Sequence, residues 1–118
     1  MTGVQTCALP ILCYLTTTGR RTGTPHEIEI WFGIREGTLY LLSGGGAAAD
    51  WVKNIKAEPR VRLRINTQTA ALKARVVRPN TREDAAAREL LDAKYTGWRS
   101  GSKLSKWARG ALPMAIDL

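Results

Sequence analysis

Short segments in which polar and apolar residues alternate, each bounded by turn residues, restrict this chain to an antiparallel β architecture. At 26–32 the order is His-Glu-Ile-Glu-Ile-Trp-Phe, and at 60–65 arginines alternate with aliphatic residues. A period of two is typical of strands that bury one face. Glu36-Gly37 predicts a tight hairpin turn between two such strands. Six strands are predicted, at 12–18, 26–32, 38–43, 60–65, 72–77 and 112–118.

Helical segments interrupt and follow these strands. The segment 50–56 has apolar residues at helical spacing and ends before Pro59. A second helix is predicted to begin at Thr81, because Thr81 and Asp84 have the spacing of a capping box, and a short helical turn is predicted at 104–108. The predicted buried faces are Trp51, Val52 and Ile55 in the first helix and Ala87, Leu91 and Tyr95 in the second. This α+β content suits a small barrel with helices over its open ends.

The first eleven residues are predicted to be foreign to the protein. The string Gly-Val-Gln-Thr-Cys-Ala-Leu-Pro-Ile at 3–11 resembles the translation of a common sequencing-adapter oligonucleotide. On this interpretation residues 1–11 carry no evolved information and the natural N-terminus is missing; a genuine N-terminal strand is the alternative. Residues 12–118 suffice for one domain with one core, so a bulky ligand is expected in a surface groove or at a subunit interface.

The excess of basic residues, 18 Lys and Arg against 10 Asp and Glu, gives a formal net charge of +8. This charge favours an anionic partner, although the basic residues are spread along the chain and a solvated surface is the alternative. Cys7 and Cys13 make no disulfide framework, which suits a reducing cytoplasm. The sequence shows no metal-ligand spacing and no serine–histidine–acid set, and no apolar run reaches the roughly 20 residues of a membrane span.

Two glycine-containing segments are candidate anion sites. Ser43-Gly44-Gly45-Gly46 leads towards the predicted helix at 50–56, where glycines allow close backbone approach and a helix start offers free N–H groups. Gly19-Arg20-Arg21-Thr22-Gly23 places two guanidinium groups and a hydroxyl on a tight turn, which suits phosphate or carboxylate. A plain loop and a solvated hairpin are the alternatives. The spacing matches neither a dinucleotide fingerprint nor a P-loop.

The aromatic residues give further candidates. Core packing accounts for Trp51 and Trp31, whereas Trp98 and Trp107 lie in a polar, glycine-containing stretch and could form a wall for a planar ring. Tyr95 is predicted to be a core residue. The alternative is that its hydroxyl acts in catalysis, by donating a hydrogen bond to a substrate oxygen that gains negative charge.

Two stretches in combination resemble the deazaflavin-dependent nitroreductase and quinone-reductase family. They are Tyr-Leu-Thr-Thr-Thr-Gly-Arg-Arg-Thr-Gly-Thr-Pro at 14–25, and Leu-Leu-Ser-Gly-Gly-Gly at 41–46 with Asp-Trp-Val-Lys-Asn at 50–54. The resemblance covers about 12–118. It implies a six-stranded antiparallel split β-barrel, as in pyridoxamine-phosphate oxidases and FMN-binding split barrels, with two or three short helices. It also implies an oxidoreductase that transfers a hydride from reduced deazaflavin coenzyme F420 to an electron-poor acceptor such as a quinone, an enone or a nitroarene.

The resemblance implies roles for individual residues. The arginine turn would hold the cofactor phosphate and acidic tail through Arg20, Arg21 and Thr22, and the ring would be lined by Ser43, Gly44, Gly45, Gly46, Trp51 and Asn54. The candidate catalytic residues are Tyr95 and Ser43, and the candidate substrate contacts are Trp31 and Trp98. Two departures from the family bear on the acceptor more than on the cofactor. His26, predicted to lie on the surface, stands where relatives tend to have a basic residue, and the segment 95–101 contains one tyrosine.

Three other functions remain open at this stage. They are an FMN-dependent oxidoreductase on the same barrel, a non-catalytic binder of a flavin or tetrapyrrole, and a nucleic-acid binder that uses Arg60, Arg62 and Arg64. The last is disfavoured because those strands carry no aromatic stacking platform, so no nucleic-acid partner is expected. The expected partners are the anionic cofactor and a small hydrophobic acceptor. A homodimer and peripheral contact with a membrane are left open.

Overall fold

A computed structural model describes residues 11–118. Cys7 and all but the last of the residues predicted to be foreign therefore lie outside the described part. The strands are β1 (Leu12–Thr18), β2 (Pro25–Trp31), β3 (Gly33–Arg35), β4 (Thr38–Ser43), β5 (Arg60–Ile65), β6 (Gln68–Val76) and β7 (Leu112–Asp117). The helices are α1 (Asp50–Ala57), α2 (Arg82–Thr96) and α3 (Lys106–Gly110), with a single 3₁₀ turn at Gly46–Ala48.

The predicted antiparallel α+β split barrel is confirmed, with small differences at the strand ends. The described residues contain seven strands rather than six, because the chain makes three further ladder residues at β3 before the hairpin. Strand β6 begins at Gln68 and not at residue 72, since Asn66 adopts a positive φ of 54° and completes a tighter turn than predicted. The predicted Glu36-Gly37 hairpin is present, with φ values of 51° and 79° that suit a type I′ turn.

The strand order shows how the sheet becomes a barrel. Neighbouring strands pair antiparallel in the order β2-β1-β5-β6-β7-β4-β3, so β2 and β3 occupy opposite edges. Only Phe32 separates these two strands along the chain, and its side chain is fully buried. The sheet therefore curls until its two edges meet at Phe32. Strands β2 and β3 then form one continuous bent segment, with each half at one edge of the sheet.

Strand β4 is buried on both faces because two cores lie on either side of it. Leu39 and Leu41 point into the barrel core, which also contains residues of β1, β5, β7 and α1. Tyr40 and Leu42 point the other way, into a second core beneath α2 and α3. A continuous apolar run such as 38–43 is the pattern expected of a strand covered on both sides.

Helix α2 is fixed at both ends and anchors α3. The Thr81 hydroxyl accepts from the Asp84 N–H at 3.1 Å, which confirms the predicted helix start, and Gly97 ends the helix with φ 80°. Arg88 donates to the backbone oxygens of Ala108, Arg109 and Ala111 and pairs with Asp84. The C-terminal carbonyls of α3 are thus satisfied by one side chain of α2.

None of the described helices is long and apolar enough to cross a membrane. Within residues 11–118, no three His, Cys, Asp or Glu side chains are grouped so that they could hold a metal ion.

Candidate cofactor-binding site

A groove of about 690 Å³ lies between the β1–β2 turn and the first half of α1. This volume is within the range of small-molecule sites. Its walls include five of the predicted cofactor residues, namely Arg20, Arg21, Thr22, Trp51 and Asn54. The structure therefore brings together two segments that are about thirty residues apart in the sequence.

The β1–β2 turn has one tight conformation, fixed by its own backbone. Gly19 N–H donates to the Thr24 oxygen at 2.7 Å, and Gly23 N–H donates to the Gly19 oxygen at 2.8 Å. Gly23 has φ 74°, a conformation in which glycine is favoured. A Cβ at Gly19 would lie 2.7 Å from His26 Nε2, so the turn folds closely under the imidazole ring. His26 is exposed, as predicted, and it also lies in the groove wall.

Arg20 joins the turn to α1. Its backbone N–H and its Nη1 both donate to Asn54 Oδ1, at 3.2 and 2.8 Å, and its Nη2 lies 3.2 Å from Asp50 Oδ1. Asn54 is buried, and its Nδ2 donates to the buried hydroxyl of Thr17 at 3.1 Å. Every polar atom of the Asn54 side chain is therefore used to hold the turn against the helix. Arg20 therefore has a structural role, because its backbone N–H and its guanidinium both bind residues of α1.

Arg21 differs from Arg20 in its contacts. It is exposed at the rim of the groove, and within residues 11–118 its guanidinium makes no ion pair. Hydroxyl groups lie beside it, with Thr22 Oγ1 2.7 Å from Thr24 Oγ1 and Thr24 Oγ1 3.3 Å from His26 Nε2. This side of the groove therefore offers a cation and hydrogen-bonding groups that an anion can use.

The opposite side combines an aromatic ring with a helix start. Trp51 is half-buried and contributes an indole to this wall, while Pro25 and Ile28 of β2 add apolar surface to the groove. The N-cap of α1 is Ala49, which provides no side-chain acceptor for the first N–H groups of the helix. Those N–H groups carry a partial positive charge, although Asp50 in the first turn offsets part of it. Together, the two sides of the groove suit a ligand that is both anionic and planar.

The predicted serine–glycine segment lies outside this groove. Ser43 is buried, and its hydroxyl donates to the Gly46 oxygen at 2.9 Å within the same turn. Gly46 has the positive φ, 63°, whereas Gly45 has φ −83° and a Cβ there would make ordinary contact with Ala49 at 3.4 Å. The geometry of the segment thus serves the link from β4 to α1, and a catalytic role for Ser43 stays a prediction.

Tyr95, the other candidate catalytic residue, lies at the far end of β2 from His26. The five-residue separation along that strand between His26 and Trp31 corresponds to about 17 Å. Tyr95 Oη lies within hydrogen-bonding distance of the Ile11 oxygen at 2.6 Å and of the Phe32 oxygen at 2.9 Å, and it accepts from the Phe32 N–H at 3.0 Å. Burial raises its pKa. Its donor is therefore engaged with backbone, and its catalytic role stays a prediction.

The tryptophans are distributed over different sites. Trp31 stacks on Tyr95 with ring centroids 4.3 Å apart, and the edge of Trp107 meets it at 5.2 Å. The expectation that Trp31 is a core residue is wrong, since it is 40% exposed on an edge strand. Trp98 donates to the Ser102 oxygen at 2.8 Å beside a separate, smaller groove near Arg99 and Lys103. Neither Trp31 nor Trp98 lines the groove at α1.

Among the groove residues that were not predicted as site residues, three hydrogen-bond to other residues of the groove. Thr17 and Thr24 contribute hydroxyls, and Asp50 pairs with Arg20. Thr17 could have been found from the alternation of β1, which turns its side chain inwards with Cys13 and Leu15. The contact between Asp50 and Arg20 depends on tertiary structure and leaves no local signal.

Solved structures with similar folds place the chain in a class. A conserved hypothetical protein from Mycobacterium tuberculosis has a TM-score of 0.75 at 18% identity, covering 98% of this chain and 79% of that one. An F420-H2 dependent reductase, FDR-A, has a TM-score of 0.68 at 16% identity and 90% and 93% coverage. An FAD-binding protein from Mesorhizobium loti has a TM-score of 0.66 at 12% identity and 100% and 90% coverage. The fold is that of the split-barrel proteins.

The family follows from a more specific match. The family described as F420H(2)-dependent quinone reductase matches residues 1–114, and the chain belongs to this family. It is therefore an oxidoreductase whose cofactor is the deazaflavin coenzyme F420, as the resemblance in the sequence predicted.

Proposed function

We propose that this chain holds coenzyme F420 in the groove between the β1–β2 turn and α1, and that it reduces a small hydrophobic acceptor such as a quinone, an enone or a nitroarene. One observation supports this placement above all. Arg21 and the hydroxyls of Thr22 and Thr24 lie in the same groove as the Trp51 indole. A cationic, hydroxyl-rich rim and an aromatic wall are what a ligand with an acidic tail and a planar ring requires.

The residues present fit the cofactor, and each has a definable task. When bound, reduced F420 supplies the hydride, so the protein needs no acid of its own for that transfer. Arg21 and Thr22 would bind the anionic tail, and Trp51 would limit the position of the ring. Asn54 and Arg20 would keep these groups in register, since they fix the turn to the helix.

The placement is tested by titrating the purified chain with F420 and with FMN while tryptophan fluorescence is recorded. F420 is expected to bind more tightly, because its additional anionic groups extend beyond a single phosphate and meet a positively charged chain. Quenching should come from Trp51 in the wall and be lost in a Trp51→Phe variant that still binds in a competition assay. Equal affinity for both cofactors at low salt would favour the FMN-dependent alternative.

Replacing Arg21 with alanine is expected to weaken F420 binding by about tenfold and to flatten its dependence on salt. The guanidinium is at the rim and free to meet an anion, and screening acts on such exposed charge pairs. Isothermal titration at 20 mM and 300 mM salt measures both effects, with Arg82→Ala as a control that removes an exposed cation from α2. Unchanged affinity and an unchanged salt slope would place the anionic tail elsewhere.

Replacing Tyr95 with phenylalanine separates the structural role of its hydroxyl from a catalytic one. We expect turnover of a quinone acceptor within about twofold of the wild type, and a loss of about 1–2 kcal/mol in stability because the Phe32 N–H loses its partner. Steady-state kinetics and chemical denaturation give the two readings. A large loss of turnover with unchanged stability and cofactor affinity would instead establish the donor role predicted from the sequence.

A further inference from the structure

A chain of hydrogen-bonding groups runs along the rim of the groove from His26 to the β1–β2 turn. His26 Nε2 lies 3.3 Å from Thr24 Oγ1, and Thr24 Oγ1 lies 2.7 Å from Thr22 Oγ1. Thr22 Oγ1 also accepts from the Thr24 N–H at 3.3 Å. All three residues are exposed and line the groove, as does Arg21, which precedes Thr22 in the turn. The imidazole is thus connected through two hydroxyls to the cationic part of the rim.

The turn leaves room for the imidazole at this position. His26 pairs with Thr17 in the β1–β2 ladder, and residues directly opposite each other share a face of the sheet. That face is the one that meets α1, since the Thr17 hydroxyl binds Asn54. A Cβ at Gly19 would lie 2.7 Å from His26 Nε2 and 2.9 Å from Thr22 Oγ1. The glycine therefore allows the ring to pack against the turn, next to both hydroxyls.

The carboxylates around the imidazole are already engaged with arginines. The other charged residues that line the groove are Arg20, Arg21, Glu27 and Asp50. Asp50 lies 3.2 Å from Arg20, and Glu27 lies 3.9 Å from Arg64 of β5. Within residues 11–118, neither carboxylate forms an ion pair with the imidazole. A proton on His26 therefore adds to the positive charge that the groove offers to a ligand.

We propose that His26 is a protonation-dependent positioning residue, so that the groove binds anionic groups more tightly when the imidazole is protonated. In the protonated ring Nε2 carries a hydrogen and can only donate. Thr24 then accepts from His26 and donates to Thr22, which leaves the Thr22 hydroxyl hydrogen for an anion. A neutral ring with its lone pair on Nε2 reverses this order. The Thr22 hydrogen is then used by Thr24, and a Thr22 lone pair is left facing the ligand.

This inference rests on the proposed placement of F420 in the groove, because the acidic tail of the cofactor supplies the anionic groups. Histidine exchanges its proton between about pH 5 and 8, so the affinity for F420 is expected to fall as the pH rises through that range. The rim is exposed to solvent, which limits the expected fall to about five- to tenfold. Because the coupling is reciprocal, bound F420 should raise the midpoint of His26 protonation by about 0.7–1 pH unit.

Both effects can be measured, because the chain contains a single histidine. In protein without an affinity tag, the proton resonances of the imidazole ring report on His26 alone. Following them from pH 5 to 9, with and without F420, gives the two protonation midpoints. Isothermal titration at pH 5.5 and 8.5 gives the F420 affinity in the two protonation states. Any titration of the cofactor itself cancels when a variant is compared with the wild type at the same pH.

Four variants separate the charge, the hydroxyl relay and unrelated effects. His26→Arg carries a permanent cation and should bind F420 at both pH values about as tightly as the wild type does at pH 5.5. His26→Gln is neutral and should bind at both as weakly as the wild type does at pH 8.5. Thr24→Val keeps the shape of threonine but removes the relay, so most of the pH dependence should be lost. Thr69→Val removes an exposed hydroxyl from β6, outside the groove, and should leave the pH dependence unchanged.

Two results would overturn the inference while the placement of F420 stands. One is a midpoint of His26 protonation that F420 does not move although the cofactor quenches Trp51. The other is a folded Thr24→Val variant, checked by circular dichroism melting, that keeps the full pH dependence. If F420 quenches no Trp51 fluorescence and Arg21→Ala leaves its affinity unchanged, the placement in the groove is wrong and the inference is overturned with it.

Discussion

Replacing Arg88 with methionine lowers the free energy of unfolding by about 3–5 kcal/mol, the largest stability effect expected of any single change outside the apolar core. Methionine keeps the length and packing of the side chain but removes all its donors. The oxygens of Ala108, Arg109 and Ala111 then lose a shared partner, and Asp84 remains as a carboxylate that is only 10% exposed without its counterion. Urea denaturation followed by far-ultraviolet circular dichroism measures the change.

Two further variants separate the buried charge from the lost hydrogen bonds. Arg82→Met removes an exposed arginine from the same helix and should change stability by less than about 0.5 kcal/mol. Asp84→Asn/Arg88→Met should recover part of the loss, because the uncompensated carboxylate is gone while the α3 carbonyls still lack a donor. A loss below about 1 kcal/mol in Arg88→Met would mean that water satisfies these carbonyls and that α3 does not depend on α2.

Local patterns were sufficient to predict most of the elements and a barrel, but not the place where the barrel closes. The hairpin at Glu36-Gly37 follows from residues that tolerate a positive φ, and the start of α2 follows from one capping pair. Closure at Phe32 depends on two sheet edges meeting, and a buried aromatic residue after an alternating strand carries no sign of that. The short β3 was missed for the same reason, because it exists only through its pairing with β4.

The candidate site was predicted in part, and the division has a physical cause. The arginine turn was visible because its residue types and spacing are local, and the start of α1 was visible for the same reason. The sequence did not indicate which of the two arginines, Arg20 or Arg21, is available to a ligand. Arg20 is used by Asn54 and Asp50, whereas Arg21 is exposed, and this difference arises only when the turn packs against the helix. Tyr95 shows the same limit, since its partners are backbone atoms of other elements.

The shape of the groove therefore depends on Asn54, which acts by fixing the turn to α1 and needs no contact with the anionic groups of the cofactor. Asn54 is 4% exposed, and its amide group is the link between Thr17 in β1, Arg20 in the turn and α1. A side chain of similar size without polar atoms would fill the space but leave Arg20 N–H and the Thr17 hydroxyl without partners. The position of the whole turn relative to Trp51 would then no longer be fixed.

Replacing Asn54 with leucine is accordingly expected to reduce F420 affinity at least tenfold and to lower stability by about 2–3 kcal/mol, since the buried Thr17 hydroxyl and the part-buried Arg20 N–H lose their partners. Asn54→Asp is the matched control: its carboxylate can accept both Arg20 donors and the Thr17 hydroxyl proton, so stability should stay within about 1 kcal/mol of the wild type. Its added negative charge should still weaken binding of the anionic cofactor. Fluorescence titration should therefore show a reduced affinity for Asn54→Asp, while urea denaturation shows a stability close to that of the wild type. In Asn54→Leu both the affinity and the stability should fall. If Asn54→Leu binds F420 as tightly as the wild type, the turn is positioned without α1, and the groove between them is not where the cofactor is held.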